Sequence, residues 1–346
     1  MAQQVLLEKI LTKYGLKPVK IDSRQMGYRN HSYCVTLNTG QLVNLIIYKR
    51  EPGILPRIRR ANIVSDYLAG QGFPTRRTIE PGIIRLTSDN YLRYAAVYTY
   101  LPGNTVPWEA YTRRHLKLLG STMSNIHHSL SQMPNWAEPN SPTALDEYAS
   151  ILQRMIAYFQ DPGVIASTSR TLNLCVASQT WKDLTQILKI CRHLPEQQIL
   201  HLDFVRGNIL FEPSANGPRV SGIIDFEKTA LGPPVMDIAR TLSFLLVDSK
   251  FKTNRHIRKY FLQSGYAKRG SARLKTPIVT VSGKKIDTLE RLVDLFLVHD
   301  FYKFLRHNPY DSLHLNEHYV RTKQLLLDRG ILSPAPDPVS IAEPAL

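Results

Sequence analysis

Cysteine is scarce in this sequence, and what there is excludes two architectures. Cys34, Cys175 and Cys191 are odd in number, far apart and without C-x-x-C spacing, so neither a disulfide framework nor a zinc site is indicated and buried free thiols are expected. Long apolar runs are missing too. No stretch approaches the roughly 18 uninterrupted apolar residues that a spanning helix needs, and the opening MAQQVLLEKILTKYG, which carries Glu8, reads as an amphipathic helix rather than a signal peptide. A cytoplasmic protein is expected. Acidic residues are in deficit, 28 Asp and Glu against 44 Lys and Arg, giving a formal net charge of +16. That balance attracts nucleic acid, anionic lipid or phosphorylated small molecules without choosing among them. There is no internal repeat. A hydrophobic fraction of 43% and a charged fraction of 21% exclude global disorder.

What is present changes character along the chain. From about residue 20 to 100, strand-like runs rich in β-branched and aromatic residues dominate: Ser32 to Leu37, Leu42 to Tyr48 and Leu92 to Tyr100. Asn38-Thr39-Gly40 between the first two is a hairpin signal, because Asn and Gly tolerate positive φ. Ile58, Ala61, Val64, Tyr67 and Leu68 recur at helical spacing within Arg57 to Leu68. After Leu101-Pro102-Gly103 helical periods take over: Thr112 to Leu130, Ala144 to Phe159, Val176 to His193, Met236 to Val247, Asp287 to His307 and Leu313 to Asp328. Strand-like runs interrupt them only at Gln198 to Leu202, Asn208 to Glu212 and Arg219 to Phe226. The expectation is an α+β, two-lobed chain: a small β-rich N-terminal lobe over 1–100, a hinge at 101–103, a larger helical lobe over 104–331, and a proline-rich, unstructured tail over 332–346.

The segment His201-Leu202-Asp203-Phe204-Val205-Arg206-Gly207-Asn208, followed by Gly222-Ile223-Ile224-Asp225-Phe226-Glu227, carries the chemistry. Phosphoryl transfer needs a carboxylate near the acceptor hydroxyl and oxygen ligands that hold Mg²⁺ against the nucleotide phosphates. Asp203 suits the first task; Asn208, five residues on, and Asp225, at the end of the next apolar strand, suit the second. An Asp and an Asn on a surface turn would be an ordinary structural feature, and D-x-x-x-x-N alone is weak evidence. Three linked motifs in order are strong.

Those motifs resemble the catalytic and metal-binding loops of the aminoglycoside phosphotransferase and choline kinase superfamily, built on the protein-kinase-like fold. Members read H-G-D-x-x-x-x-N, then I-D-[WF]-[ED], then D-x-A; this chain has His201, Asp203, Asn208, Ile224 to Glu227, and Asp237-Ile238-Ala239. Leu202 stands where Gly is usual, which is tolerable at negative φ. The resemblance implies a small-molecule kinase using Mg²⁺ and ATP or GTP. It implies structural roles for His201, packed under the loop, and for Asp237, accepting bonds from the loop backbone; Glu227 would support the metal site through water or cap the Thr229 to Pro234 turn.

Upstream, Gly27 to Tyr33 looks like the turn over the nucleotide phosphates, with Asn30 placed as in relatives. Val97 to Gly103 is similar to the family hinge, whose backbone, here at Thr99 and Leu101, would bind the purine edge. One departure stands out. The basic residue expected on the second strand is replaced by Ile46, and its helix Glu partner by Ala61. Lys49, or an arginine such as Arg29, is the candidate phosphate contact, although strand alternation points Lys49 to the opposite face unless a bulge intervenes. Asp66 would serve as a substitute acid only if its helix were shifted.

Three readings therefore stand: an active kinase, a nucleotide- or metabolite-binding pseudokinase, and, as a minor alternative, a basic nucleic-acid binder. The last draws on Lys49, Arg50, Arg57, Arg59 and Arg60 and on the run from Lys250 to Lys275, which holds nine Lys and Arg and no acidic residue. The same run disfavours a polycationic acceptor and favours a neutral or anionic hydroxyl compound.

Overall fold

The computed structural model describes the chain except residues 1, 24, 27–29, 89–90, 135–142, 250, 269–277, 282–283 and 336–346. Gly27 to Arg29, expected in the turn over the phosphates, and residues 250 and 269–275 of the basic run thus lie outside the described residues. Two compact units emerge, one formed by 1–135 with 203–229, the other by 136–202 with 230–346. Against the boundary expected at 101–103, the first unit also takes in 104–135 and the returning segment 203–229.

The first unit is built on an antiparallel sheet. Its strands are β1 (Pro18–Ile21), β2 (Gln25–Met26), β3 (His31–Leu37), β4 (Leu42–Ile47), β5 (Thr78–Ser88) and β6 (Tyr91–Thr99), in the order β1-β3-β4-β6-β5 with β2 beside β3. Gly40, at φ 81°, turns β3 into β4 as the sequence suggests. Alternation along β4 divides the core. Val43, Leu45 and Ile47 pack with Leu7, Ile10 and Leu11 of helix α1 (Ala2–Lys13). Ile46 and Tyr48 face the other way, onto Ile54 and Ile58 of α2 (Ile54–Gly70), with Ala96 and Tyr98. Each face of a pleated sheet takes every second residue, so one apolar helix per face closes it.

β5 was not legible in the sequence, because Glu80-Pro81-Gly82 break its apolar alternation; the pairing with β6 shifts register between Thr78 and Ile83. After the hinge come the short strand β7 (Asn104–Thr105) and helix α3 (Arg113–Leu130), opened by a capping box between Thr112 and His115. The returning segment adds a hairpin, Ile209–Glu212 with Arg219–Ile223, and β7 extends it to three strands.

The second unit is predominantly helical. Its long helices are Ala144–Gln160, Ser178–Arg192, Pro234–Asp248, Thr288–His307 and Glu317–Asp328. Thr288–His307 is central: Leu292, Val293, Leu295, Phe296 and Leu297 are all fully buried, and it packs on the neighbouring helices. The period read as one helix over Leu313 to Asp328 is split by Asn316, whose side chain caps Glu317–Asp328 from outside. The tail also differs from expectation at its start. Leu332–Ser333 pairs antiparallel with Cys175–Val176, and residues 336–346 lie outside the described residues. All three cysteines are free thiols, but only Cys34 and Cys191 are buried, since Cys175 sits at this strand edge. Among the described residues no helix is long and apolar enough to cross a membrane.

Candidate active site

The site is assembled on the returning segment of the first unit. Val205 N donates to the Asp203 carbonyl at 2.8 Å and Asn208 N to the Val205 carbonyl at 2.9 Å, winding 203–208 into a tight loop that ends in a turn of 3₁₀ helix. The Asn208 side chain is buried, and its Nδ2 donates to the Asp203 carbonyl oxygen at 2.8 Å. That bond fixes the amide and commits its nitrogen, so the carbonyl Oδ1 is the face left for a cation. Ile224 N donates to the Asn208 carbonyl at 3.0 Å, so the residue before Asp225 is stitched to the loop. Asp225 itself adopts φ 64°, a left-handed conformation that Asp tolerates better than most residues. The three sequence-predicted chemical residues thus lie on one loop and the strand end bonded to it.

Asp203 is only 13% exposed at its side chain, and its Oδ1 accepts from Lys228 Nζ at 2.7 Å. Sequence reading missed Lys228; it lies one residue beyond Glu227, and no motif signalled that it would turn back onto Asp203. Glu227 Oε1 accepts from Asn30 Nδ2 at 2.7 Å, while Asn30 Oδ1 accepts the Lys49 backbone N–H at 3.1 Å. Asn30 therefore ties the end of β4 to the Asp225 strand end. The Lys49 side chain is exposed. It lines a surface groove of about 580 Å³ with Arg50, Pro52, Leu92 and Tyr94, and β4 ends two residues before it without a bulge in its pairings with β3 and β6.

At the hinge, Thr99 Oγ1 accepts from Arg77 N at 2.9 Å and Leu101 is half-buried. The Pro102 carbonyl accepts from Ser221 Oγ at 2.8 Å, which brings the hairpin against the hinge. Gly103, at φ 101°, is required there, since a Cβ would overlap Ser221 Oγ and the Phe211 carbonyl oxygen. Ile46 and Ala61 are buried and apolar, and Asp66 accepts the Thr78 backbone N–H at 2.7 Å.

In the second unit, Asp237 is buried at the first turn of helix Pro234–Asp248. Its Oδ2 accepts His201 N at 2.8 Å and its Oδ1 accepts Leu202 N at 2.9 Å. His201 is buried at 1% exposure. Leu202 corrects the sequence expectation: its φ is 58°, not negative. A leucine pays roughly 1–2 kcal/mol there, and two features hold it, the Asp237 bond to its N–H and burial of its side chain to 3% exposure.

Among the described residues no group of three His, Cys, Asp or Glu side chains could hold a metal ion. A site from Asn208 and Asp225 would draw its remaining oxygens from water and nucleotide phosphates. Mg²⁺ is commonly held in this way, by one or two carboxylates plus phosphates, and the donor set fits it.

Residues 21–268, more than half of the chain, match the model of a phosphotransferase enzyme family (APH). The chain belongs to this family. No curated protein sequence matches the phosphotransferase. Among solved structures it is similar to an amicoumacin kinase, hAmiN, in complex with AMP-PNP, Ca²⁺ and Ami (15% identity, TM-score 0.63, covering 97% of this chain and 98% of that one). A microcompartment-associated aminopropanol kinase matches alike (15%, 0.63, 94% and 98%). So does a thermostable mutant of the aminoglycoside phosphotransferase APH(4)-Ia (14%, 0.56, 93% and 99%). The fold of the phosphotransferase is accordingly kinase-like, a β-sheet N-terminal part with a larger helical C-terminal part.

Proposed function

We propose that this phosphotransferase moves the γ-phosphate of ATP or GTP to a hydroxyl of a small molecule. The observation that carries the reading is the linkage of Asp203, Asn208 and Asp225 through the 2.8 Å bond from Asn208 Nδ2 and the 3.0 Å bond from Ile224 N. Mg²⁺, held by Asn208 Oδ1 and the Asp225 carboxylate, would neutralise charge between the β and γ phosphates. The Asp203 carboxylate orients the acceptor hydroxyl and takes its proton, while Lys228 on Oδ1 keeps it turned in one direction. Thr99 and Leu101 offer backbone groups to the purine edge, Asn30 belongs to the turn over the nucleotide phosphates, and Asp237 fixes the backbone N–H groups of His201 and Leu202. Excess positive charge favours a neutral or anionic acceptor, as the sequence suggested.

Nucleotide consumption by the purified protein with Mg²⁺ and a panel of hydroxylated metabolites tests the reaction class. In the same assay Asp203→Asn should cut kcat by about 10²–10⁴, the usual contribution of a positioned general base, with nucleotide affinity kept. Unchanged turnover in that variant would remove Asp203 from its role. Nucleotide bound without any transfer would favour the pseudokinase reading, to which buried Ile46 and Ala61 lend support.

A further inference from the structure

The strand that should present a cation to the phosphates presents none: Ile46 is 5% exposed within an apolar cluster, and Ala61 on α2 is 8% exposed. We propose that Arg76 supplies the missing positive charge, binding the nucleotide's phosphates from the α2 side of the sheet, an inference that rests on the nucleotide-dependent reading above.

Backbone geometry brings Arg76 to that corner. Ile223 N donates to the Pro74 carbonyl at 2.8 Å, and Thr75 forms a parallel bridge with Ile223. Residues 74–76 therefore run alongside, and in the same direction as, the strand end that delivers Asp225. Arg76 follows Thr75 as Ile224 follows Ile223. Its backbone is pinned on both sides, by Ser65 Oγ donating to the Arg76 carbonyl at 2.6 Å and by Arg77 N donating to Thr99 Oγ1 at 2.9 Å.

The side chain occupies the face that Ile46 shares. The Arg76 guanidinium carbon lies 4.7 Å from the Tyr98 ring centroid, and Tyr98 and Tyr48 belong to the Ile46 cluster. The two phenols are 2.6 Å apart at their oxygens, and Tyr98 Oη donates on to Asn62 Oδ1 at 2.8 Å. Both feel the charge of Arg76 and of Glu227. Burial raises both phenols above the ordinary tyrosine range, so neither offers Arg76 a negative charge. Among the described residues Arg76 forms no ion pair, whereas Arg57, Arg192, Arg219 and Arg240 each hold a carboxylate. A half-buried guanidinium stacked on an aromatic face keeps its planar fork for a bidentate anion, and phosphate suits that fork.

The test measures binding, not transfer. Affinities of the nucleoside, its diphosphate and a non-hydrolysable triphosphate with Mg²⁺, in adenine and guanine series, are compared for wild type, Arg76→Met and Arg76→Lys. Arg76→Met should weaken the triphosphate by about 10–100-fold and leave the nucleoside within about twofold, the range expected for losing a charge-assisted phosphate contact. Arg76→Lys should recover part of the loss and keeps the proposal testable if the Met variant folds poorly. Unchanged triphosphate affinity, or an equal loss for nucleoside and triphosphate, would overturn the inference by reducing Arg76 to a ring support. Triphosphate binding that depends on Arg76 in a protein that phosphorylates no acceptor upholds the inference and sinks only the transfer reading. No triphosphate binding by wild type sinks both.

Discussion

Leu202 sets two residue-scale effects against each other. Its φ of 58° costs roughly 1–2 kcal/mol that glycine, the usual residue in this motif, would avoid. Its side chain is nearly fully buried, and deleting a buried leucine typically costs about 2–5 kcal/mol, with a further 0.5–1 kcal/mol for glycine's backbone entropy. Burial wins. Leu202→Gly should lower stability in urea by roughly 0.5–5 kcal/mol while leaving nucleotide affinity near wild type; a stabilised variant would mean that strain, not packing, governs the position. The chemical residues around it were legible because Asp203, Asn208 and Asp225 sit at fixed spacings within a short stretch. Their neighbours were not. Asn30 reaches Glu227 across 197 positions and Lys228 reaches Asp203 across 25, and no local pattern specifies such pairs. The positive φ was illegible for the opposite reason, since leucine is a residue that argues against it.

At the scale of elements, the helix whose first turn carries Asp237 is also held by an ion pair. Arg240, one turn on, donates from both terminal nitrogens to Asp300 of helix Thr288–His307, at 2.7 and 3.1 Å. Burial alone would raise the Asp300 carboxyl; the Arg240 guanidinium, with Lys303, outweighs it and holds the group below the ordinary carboxylate range. A folded-state pKa lowered in this way adds stability that is fully present above the unfolded value, near 4, and is lost as pH falls through the folded one. Asp300→Asn should therefore destabilise the protein by about 3–5 kcal/mol at neutral pH, leaving a buried guanidinium short of its countercharge. It should also flatten the loss of thermal stability below about pH 4. A variant with the same acid limb as wild type would show that other carboxylates set it. The helices themselves were readable from their periods, whereas this pair was not, because nothing in either helix marks its partner.

On the scale of the whole molecule, two cores rather than one organise the chain, and the segment carrying Asp203 to Glu227 returns to the unit that holds Asn30, Lys49, Thr99 and Leu101. Composition made the net charge of +16 plain from the start, but composition carries no address, and at a distance such an excess acts as a field. Such a field accelerates encounter with anions and slows it with cations, and salt screens both over a length of about 8 Å at physiological strength. The expected outcome is a kcat/KM for the nucleotide, and for any anionic acceptor, that falls as salt rises from roughly 20 to 300 mM, with kcat nearly unchanged because docked phosphates are screened far less. A neutral acceptor should show little dependence, and a polycationic one should improve as salt weakens the repulsion. Steady-state kinetics across that range separate the classes. A polycationic acceptor used efficiently at low salt and progressively worse with added salt would require a local acidic site strong enough to reverse the molecule's overall field, and would overturn the preference argued from charge.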